Sequence, residues 1–167
     1  AYSQYNMLIN WRKSQLLHEY ELFSDKEQLN ILLKKLLDTQ NFPFSYWVNQ
    51  EIEKIRNQEN TPIDFFPDFL HRGFYYEQLE RYYQFFPVEN ILVIEHRELK
   101  NNRISTLRKI EQFLNISYVD WNTINLDDKF VSQYNVKLPS DIRNKLKAFF
   151  KPYNEKFYKL IKRNFDW

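Results

Sequence analysis

A single glycine, Gly73, occurs in this chain of 167 residues. Tight strand-to-helix turns and loops that cradle phosphates depend on glycine, because glycine adopts positive φ without steric cost and lets the backbone approach a ligand closely. A complete nucleotide-binding domain with its own glycine-rich loop is therefore excluded from these residues.

The composition is that of one globular domain, predicted to cover residues 1–167. Hydrophobic residues make up 43% of the chain, and the 28% that are charged suit an ordinary water-exposed surface. A net charge of +2 is too small to predict a nucleic-acid or membrane-surface partner. The chain has no cysteine, which excludes disulfides and thiolate metal sites and favours the cytoplasm. No apolar run approaches the roughly 20 residues of a membrane span.

Apolar spacing predicts helices over most of the chain. The first runs from Ala1 to about Tyr20, and the second follows the capping-box pattern Ser24-Asp25-Lys26-Glu27. Pro43 suits the first turn of a third helix that ends near Gln58. Further helices are predicted with apolar faces Tyr75-Leu79-Tyr82-Phe86 and Ile104-Leu107-Ile110-Phe113, and from Pro139 onwards, where Pro152 is expected to kink or interrupt the helix.

One run, Ile91-Leu92-Val93-Ile94, predicts a buried strand. Four adjacent aliphatic residues between polar neighbours are typical of a strand that is covered on both faces, as in a parallel sheet. The predicted fold class is therefore α/β, mostly helical with one clear strand. Because one strand cannot form a sheet, its partner strands are expected outside this sequence.

Two segments are candidate anion-binding sites. Ser3 lies near a predicted helix start, where free amides, a hydroxyl and the helix dipole favour an anion, although composition alone favours a plain N-cap. Arg72 and Gly73 precede a helix and can present a guanidinium and backbone amides to a phosphate. A glycine that is needed for a turn or for tight packing explains Gly73 equally well.

Other polar residues have weaker patterns. Lys129 and Ser132 lie in a predicted loop that can close over an anionic ligand, although solvated lysines are commoner. Glu95 and His96 follow the predicted strand and form either an acid–base pair or, more commonly, a solvated strand exit. The histidines have no ligand spacing, so no metal site is predicted.

Three segments in this order resemble the sulfotransferase family, especially its bacterial members and the heparan-sulfate sulfotransferases. Ala1-Tyr2-Ser3-Gln4-Tyr5 resembles the end of the family's 3′-phosphate motif. The run from Arg72-Gly73-Phe74-Tyr75 through Ile91-Leu92-Val93-Ile94 to Phe113-Leu114 resembles the helix, strand and helix that follow it. Phe149-Phe150-Lys151-Pro152-Tyr153-Asn154, with Phe165 and Trp167, is similar to the family's C-terminal ending.

The resemblance implies the C-terminal part of a three-layer α/β/α domain related to P-loop kinases. The implied sulfate donor is 3′-phosphoadenosine 5′-phosphosulfate (PAPS), used without a metal. Ser3 matches the serine that binds the donor's 3′-phosphate, and Lys129 falls near a basic position of the cofactor-covering loop. The family's glycine and basic residue in that loop correspond here to Ser132 and Gln133. The 5′-phosphosulfate loop and the catalytic base are expected upstream of Ala1, so these 167 residues alone are predicted to be inactive.

The predicted function is sulfuryl transfer from PAPS to an acceptor hydroxyl of a carbohydrate, lipid or small metabolite. The alternative is a non-catalytic helical module that binds another protein through its aromatic faces. Single-stranded nucleic-acid binding by tyrosines among lysines is a third reading, which the net charge disfavours.

Overall fold

The computed structural model describes residues 2–10, 26–57, 68–127 and 137–165. Seven α-helices lie in these segments: α1 (Tyr2–Asn10), α2 (Lys26–Leu37), α3 (Phe44–Arg56), α4 (Tyr75–Tyr83), α5 (His96–Asn101), α6 (Arg103–Leu114) and α7 (Ser140–Ile161). Short 3₁₀ turns occur at His71–Gly73, Val88–Asn90 and Trp121–Thr123. Among the helices of these segments, none is long and apolar enough to cross a membrane.

The chain divides into two compact units. The first unit comprises Ala1–Tyr75 with Tyr134–Asn154, and the second comprises Tyr76–Gln133 with Glu155–Trp167. The helix α7 therefore contributes its first residues to one unit and its last turns to the other.

The core of the first unit is built on α3. Its buried residues Phe44, Trp47, Val48 and Ile52 recur at the spacing of one helix face. They pack with buried residues of four other parts of the chain, namely Tyr5, Leu8, Leu33, Leu36, Phe69, Leu70 and Ile142. Burying each of these large side chains contributes on the order of 1.5–3 kcal/mol, which orders the segment around Phe69 although it has no regular helix of its own.

The turn between α2 and α3 is closed by polar groups and a proline. Asp38 accepts hydrogen bonds from the backbone N–H of Asn41 at 3.2 Å and from its side-chain amide at 2.9 Å. Pro43 then precedes α3 with φ of −65°, a conformation that suits a helix start. The predicted third helix is thus confirmed, although it ends at Arg56.

The core of the second unit contains Leu79, Phe157 and Phe165. The ring centroids of Phe157 and Phe165 lie 6.2 Å apart. On α4 the side that packs here carries Tyr76, Leu79 and Tyr83. The prediction that the face Tyr75-Leu79-Tyr82-Phe86 is buried is therefore wrong, because the buried side of the helix is rotated from it. Three of its members are exposed, namely Tyr75, Tyr82 and Phe86.

The predicted α/β fold with a buried strand is also wrong. The described residues contain no strand and no sheet, so the three-layer arrangement implied by the resemblance is not observed. Ile91 has extended backbone (φ −125°, ψ 114°), but Leu92 is exposed and its neighbours are only half-buried. An extended segment becomes a strand only when a neighbour accepts and donates its backbone hydrogen bonds, and the described segments supply no such neighbour. Aliphatic composition alone does not supply those bonds.

The last helix contains Pro152 without a break. α7 runs from Ser140 to Ile161, so the expected interruption is not observed. Proline lacks the N–H that would bond the carbonyl four residues earlier, which costs about 3 kcal/mol in a helix interior. Rings on both sides of Pro152 offset this cost, because Phe149 and Tyr153 both pack on Phe74.

Candidate functional site

Ser3 lies in the first turn of α1 and is exposed. The aromatic residues on either side of it fix this turn to the first core. The rings of Tyr2 and Tyr5 both contact Phe44, with centroid distances of 5.0 and 5.1 Å. The helix start is thereby anchored while the Ser3 side chain stays on the surface.

Arg72 and Gly73 lie in the 3₁₀ turn His71–Gly73. The N–H of Gly73 donates to the carbonyl of Leu70 at 2.8 Å, and that of Phe74 donates to the carbonyl of His71 at 3.0 Å. The Asp68 carboxylate accepts the N–H of His71 at 3.0 Å. Arg72 is exposed on this closed turn, so its guanidinium can reach an anion in solvent.

Close packing explains Gly73. A Cβ at this position would lie 2.7 Å from Cε1 and 2.9 Å from Cζ of Phe150, both too close. Its φ is not positive, so the turn itself does not demand glycine. The packing explanation considered from the sequence therefore holds.

A half-buried carboxylate holds the same segment from α3. Oε1 of Glu51 accepts the backbone N–H of Phe69 at 2.7 Å, and Oε2 accepts that of Leu70 at 2.6 Å. Burial raises the pKa of Glu51 to about 7. The two N–H groups oppose this rise, while Asp68 adds to it and Lys54 lowers it. The Glu51 carboxyl group is therefore charged or protonated depending on pH, and it binds the two residues directly before the Arg72 turn.

Ser3 and Arg72 both belong to the first unit. A ring contact links their surroundings, since the centroids of Tyr5 and Phe69 lie 5.8 Å apart. The structure thus brings two of the predicted anion-binding segments onto one core. The other two predicted residues, Lys129 and Ser132, lie outside the described residues.

Glu95 and His96 lie at a helix start and not at the end of a strand. Glu95 is the N-cap residue of α5, His96 begins that helix and is exposed, and Arg97 pairs with Glu95 at 3.6 Å. Within the part of the chain that the structure describes, no group of three His, Asp or Glu side chains could hold a metal ion.

The second unit contains a comparable carboxylate, Glu111. It accepts hydrogen bonds from Arg108 at 2.6 and 2.8 Å and from the N–H of Val119 at 2.9 Å. The hydrogen bond from Arg108 is the main cause that lowers the pKa of Glu111. The Arg108 guanidinium also lies 3.7 Å from the ring centroid of Tyr118. This arrangement fastens the segment after α6 to the helix.

Sequence reasoning missed Glu51, although the pattern contains a signal. Glu51 lies seven residues after Phe44 and three after Val48, which places it in the buried stripe of α3. A carboxylate in an apolar stripe needs hydrogen-bond donors when it is buried. Such a residue therefore indicates that another segment brings donors to that face.

Comparison with known proteins identifies a domain family that covers more than half of the chain. Residues 38–130, more than half of the chain, match the family model described as the sulfotransferase domain. The chain is 33% identical over 98 residues to a membrane-associated sulfotransferase, kil1, of Dictyostelium discoideum. It is 25% identical over 112 residues to the human heparan sulfate glucosamine 3-O-sulfotransferase 5.

The chain matches less than a third of the length of each of these relatives. The match covers 59% of this chain and 20% of the Dictyostelium protein, and 56% of this chain and 32% of the human enzyme. No solved structure matches the chain. The resemblance seen in the sequence is confirmed by the family-model match: this chain belongs to the sulfotransferase domain family.

Proposed function

We propose that the protein transfers a sulfuryl group from PAPS to an acceptor hydroxyl. The observation that carries this proposal is the sulfotransferase-domain match over residues 38–130. The exposed Ser3 and Arg72 of the first unit support it, because a hydroxyl at a helix start and a guanidinium are both suited to a phosphate.

In the proposed reaction the acceptor oxygen attacks the sulfur in line. A bond forms between that oxygen and sulfur, while the bond between sulfur and the 5′-phosphate oxygen breaks. The acceptor proton passes to a base, and adenosine 3′,5′-bisphosphate leaves. Holding both reactants in line and stabilising charge on the departing oxygens account for most of the rate in transfers of this kind. None of the described residues is assigned the role of the base.

Ser3 and Arg72 have separate roles in this proposal. The Ser3 hydroxyl and the first amides of α1 bind the donor's 3′-phosphate, and Arg72 supplies a cation to a donor phosphate. Lys129 and Ser132 belong to the loop proposed to cover the donor, which the resemblance suggests. Gly73 serves by allowing the turn to pack on Phe150.

The acceptor is proposed to be a hydroxyl of a carbohydrate, a lipid or a small metabolite. The name of the human relative, a heparan sulfate glucosamine 3-O-sulfotransferase, makes a glucosamine-containing oligosaccharide the first acceptor to test. A cytoplasmic location remains our proposal, and the name of the Dictyostelium relative, membrane-associated, makes fractionation of the native protein worthwhile.

The test is isothermal titration of the protein with adenosine 3′,5′-bisphosphate. A hydrogen bond to a charged group contributes about 1.5–3 kcal/mol, so Ser3→Ala and Arg72→Ala should each weaken binding roughly 10- to 100-fold. Ser45→Ala, a half-buried serine on α3, is the matched control and should leave the affinity unchanged. Absence of binding, or equal affinity of all four proteins, would contradict the proposal.

One observation favours the non-catalytic alternative. The residues Tyr82, Phe85 and Phe86 are 59, 75 and 52% exposed, and patches of exposed aromatic side chains are characteristic of protein-binding surfaces. A binding module would show no affinity for the bisphosphate, so the same titration distinguishes the two functions.

A further inference from the structure

Glu51 joins the segment before the Arg72 turn to α3 by two hydrogen bonds, in addition to the packing of Phe69 and Leu70 in the core. Both oxygens of Glu51 are used, one on the N–H of Phe69 at 2.7 Å and one on that of Leu70 at 2.6 Å. Glu51 lies 18 positions before Phe69 and 19 positions before Leu70 in the sequence. Together with the core packing of Phe69 and Leu70, these bonds fix the position of the turn, whereas its internal bonds fix only its shape.

We propose that Glu51 is a positioning residue that holds the 3₁₀ turn His71–Gly73 so that Arg72 meets a donor phosphate. This proposal rests on the proposed function for the identity of the ligand. Glu51 itself touches no ligand in it and acts through the backbone of Phe69 and Leu70.

The chemistry of the carboxylate suits this role. An ionised carboxylate accepts from two consecutive backbone N–H groups at once, and such charge-assisted bonds are shorter and stronger than neutral ones. Glutamine offers one oxygen and adds two donors, so it can keep one of the two bonds and must face the second N–H with its own NH₂ group. Glu51→Gln therefore loosens the segment with almost no change in side-chain volume.

The turn also has contacts that do not involve Glu51. Asp68 accepts the N–H of His71, and Gly73 packs on Phe150. These contacts keep the turn closed when the Glu51 bonds are lost. The expected result of losing the Glu51 bonds is thus a displaced turn in a folded protein, in which Arg72 no longer meets the phosphate in its best position.

The first experiment measures amide hydrogen exchange of the whole chain without ligand. In Glu51→Gln the protection of at least one of the Phe69 and Leu70 amides should fall about tenfold or more, because glutamine keeps at most one of the two bonds and a charged acceptor is worth roughly 10- to 100-fold in equilibrium. Amides of α2 should keep their protection. Glu53→Gln, at an exposed glutamate of the same helix, is the matched control.

The second experiment measures binding of adenosine 3′,5′-bisphosphate to the same variants. Glu51→Gln should weaken it about tenfold, and combining it with Arg72→Ala should add little, since both changes remove the same contact. Val48→Ala removes buried apolar volume on α3 and controls for general destabilisation, so it should lower the midpoint of unfolding without changing affinity.

The outcomes separate the two proposals. If Glu51→Gln leaves the exchange of Phe69 and Leu70 unchanged, Glu51 does not hold the segment and the inference is overturned, whatever binds. If the wild type binds the bisphosphate and Glu51→Gln binds it equally tightly although its exchange rises, the positioning of Arg72 by Glu51 is overturned. If wild type does not bind the bisphosphate at all, the proposed function fails, and with it the ligand assigned to this turn.

Discussion

The ring of Phe150 occupies the space that a side chain at Gly73 would need, with Cε1 only 2.7 Å from the position of a Cβ. Phe150 cannot simply turn aside, because it also packs against Phe74 and Phe149, with centroid distances of 5.9 and 5.2 Å. Gly73 and Phe150 therefore behave as one packing unit.

Gly73→Ala should lower the free energy of unfolding by about 1–3 kcal/mol, the usual cost of forcing extra volume into a packed site. Urea unfolding followed by circular dichroism measures this change. Gly73→Ala combined with Phe150→Leu should lose less than the sum of the two single changes, because the smaller side chain leaves room for the methyl group. Strict additivity would show that the two residues are not coupled.

Glu51 should make stability decrease with rising pH. Its pKa is raised from an ordinary value of 4.5 to about 7, mainly by burial. The folded protein thus binds this proton more tightly than the unfolded chain, and the contribution is complete below pH 4.5 and lost as pH rises through 7. The loss across this window is on the order of 3 kcal/mol. Unfolding of wild type and Glu51→Gln at pH 5 and pH 8 should show the smaller pH dependence in the variant; equal dependence would contradict the assignment.

Glu111 should have the opposite effect. Its pKa is lowered, first by the hydrogen bond from Arg108, so its contribution is present at neutral pH and is lost as the pH falls below the ordinary range of a glutamate. Glu111→Gln should increase the exchange of the Val119 amide at pH 7. Gln112→Glu, at the exposed neighbouring position, is the control. Unchanged exchange at Val119 would refute this role.

The ion pairs of Glu98 should be weak individually and sensitive to salt. Glu98 accepts from Lys109 Nζ at 3.0 Å and from Arg163, and both cations are about half exposed. Removing either cation should cost no more than about 1 kcal/mol, and less in 1 M sodium chloride, since salt screens exposed charges. Thermal unfolding of Lys109→Met and Arg163→Met at two salt concentrations measures this. A loss above 2 kcal/mol that persists in high salt would contradict it.

Helix positions followed well from the sequence, because local signals determine them. Pro43 marks the start of α3, and the leucines of α2 are spaced so that Leu33 and Leu36 are buried. Which side of a helix is buried depends on contacts with other parts of the chain. On α4 the aromatic residues continue around most of the helix, so composition did not reveal that Tyr83 packs inward while Tyr82 is exposed.

Contacts across the chain could not be read from the sequence. The run from Ile91 to Ile94 has the composition of a buried strand, but pairing depends on another segment, and the described residues provide none. Glu51 was overlooked for the same reason. Its donors, Phe69 and Leu70, lie in a different part of the chain and reach it only in the folded protein. The anion-binding roles of Ser3 and Arg72 stay predictions, drawn from chemistry that is visible locally and from the family resemblance.

The continuity of α7 at Pro152 depends on a residue far earlier in the chain. The ring of Tyr153 stacks on that of Phe74 at a centroid distance of 4.2 Å. Phe74 directly follows the turn that Glu51 holds through Phe69 and Leu70. Phe74 therefore packs against α7 on both sides of Pro152, the residue that has no backbone N–H to donate. A disturbance at the turn should therefore bend or fray α7 near Pro152, so the continuity of this helix depends on how the turn before Phe74 is held.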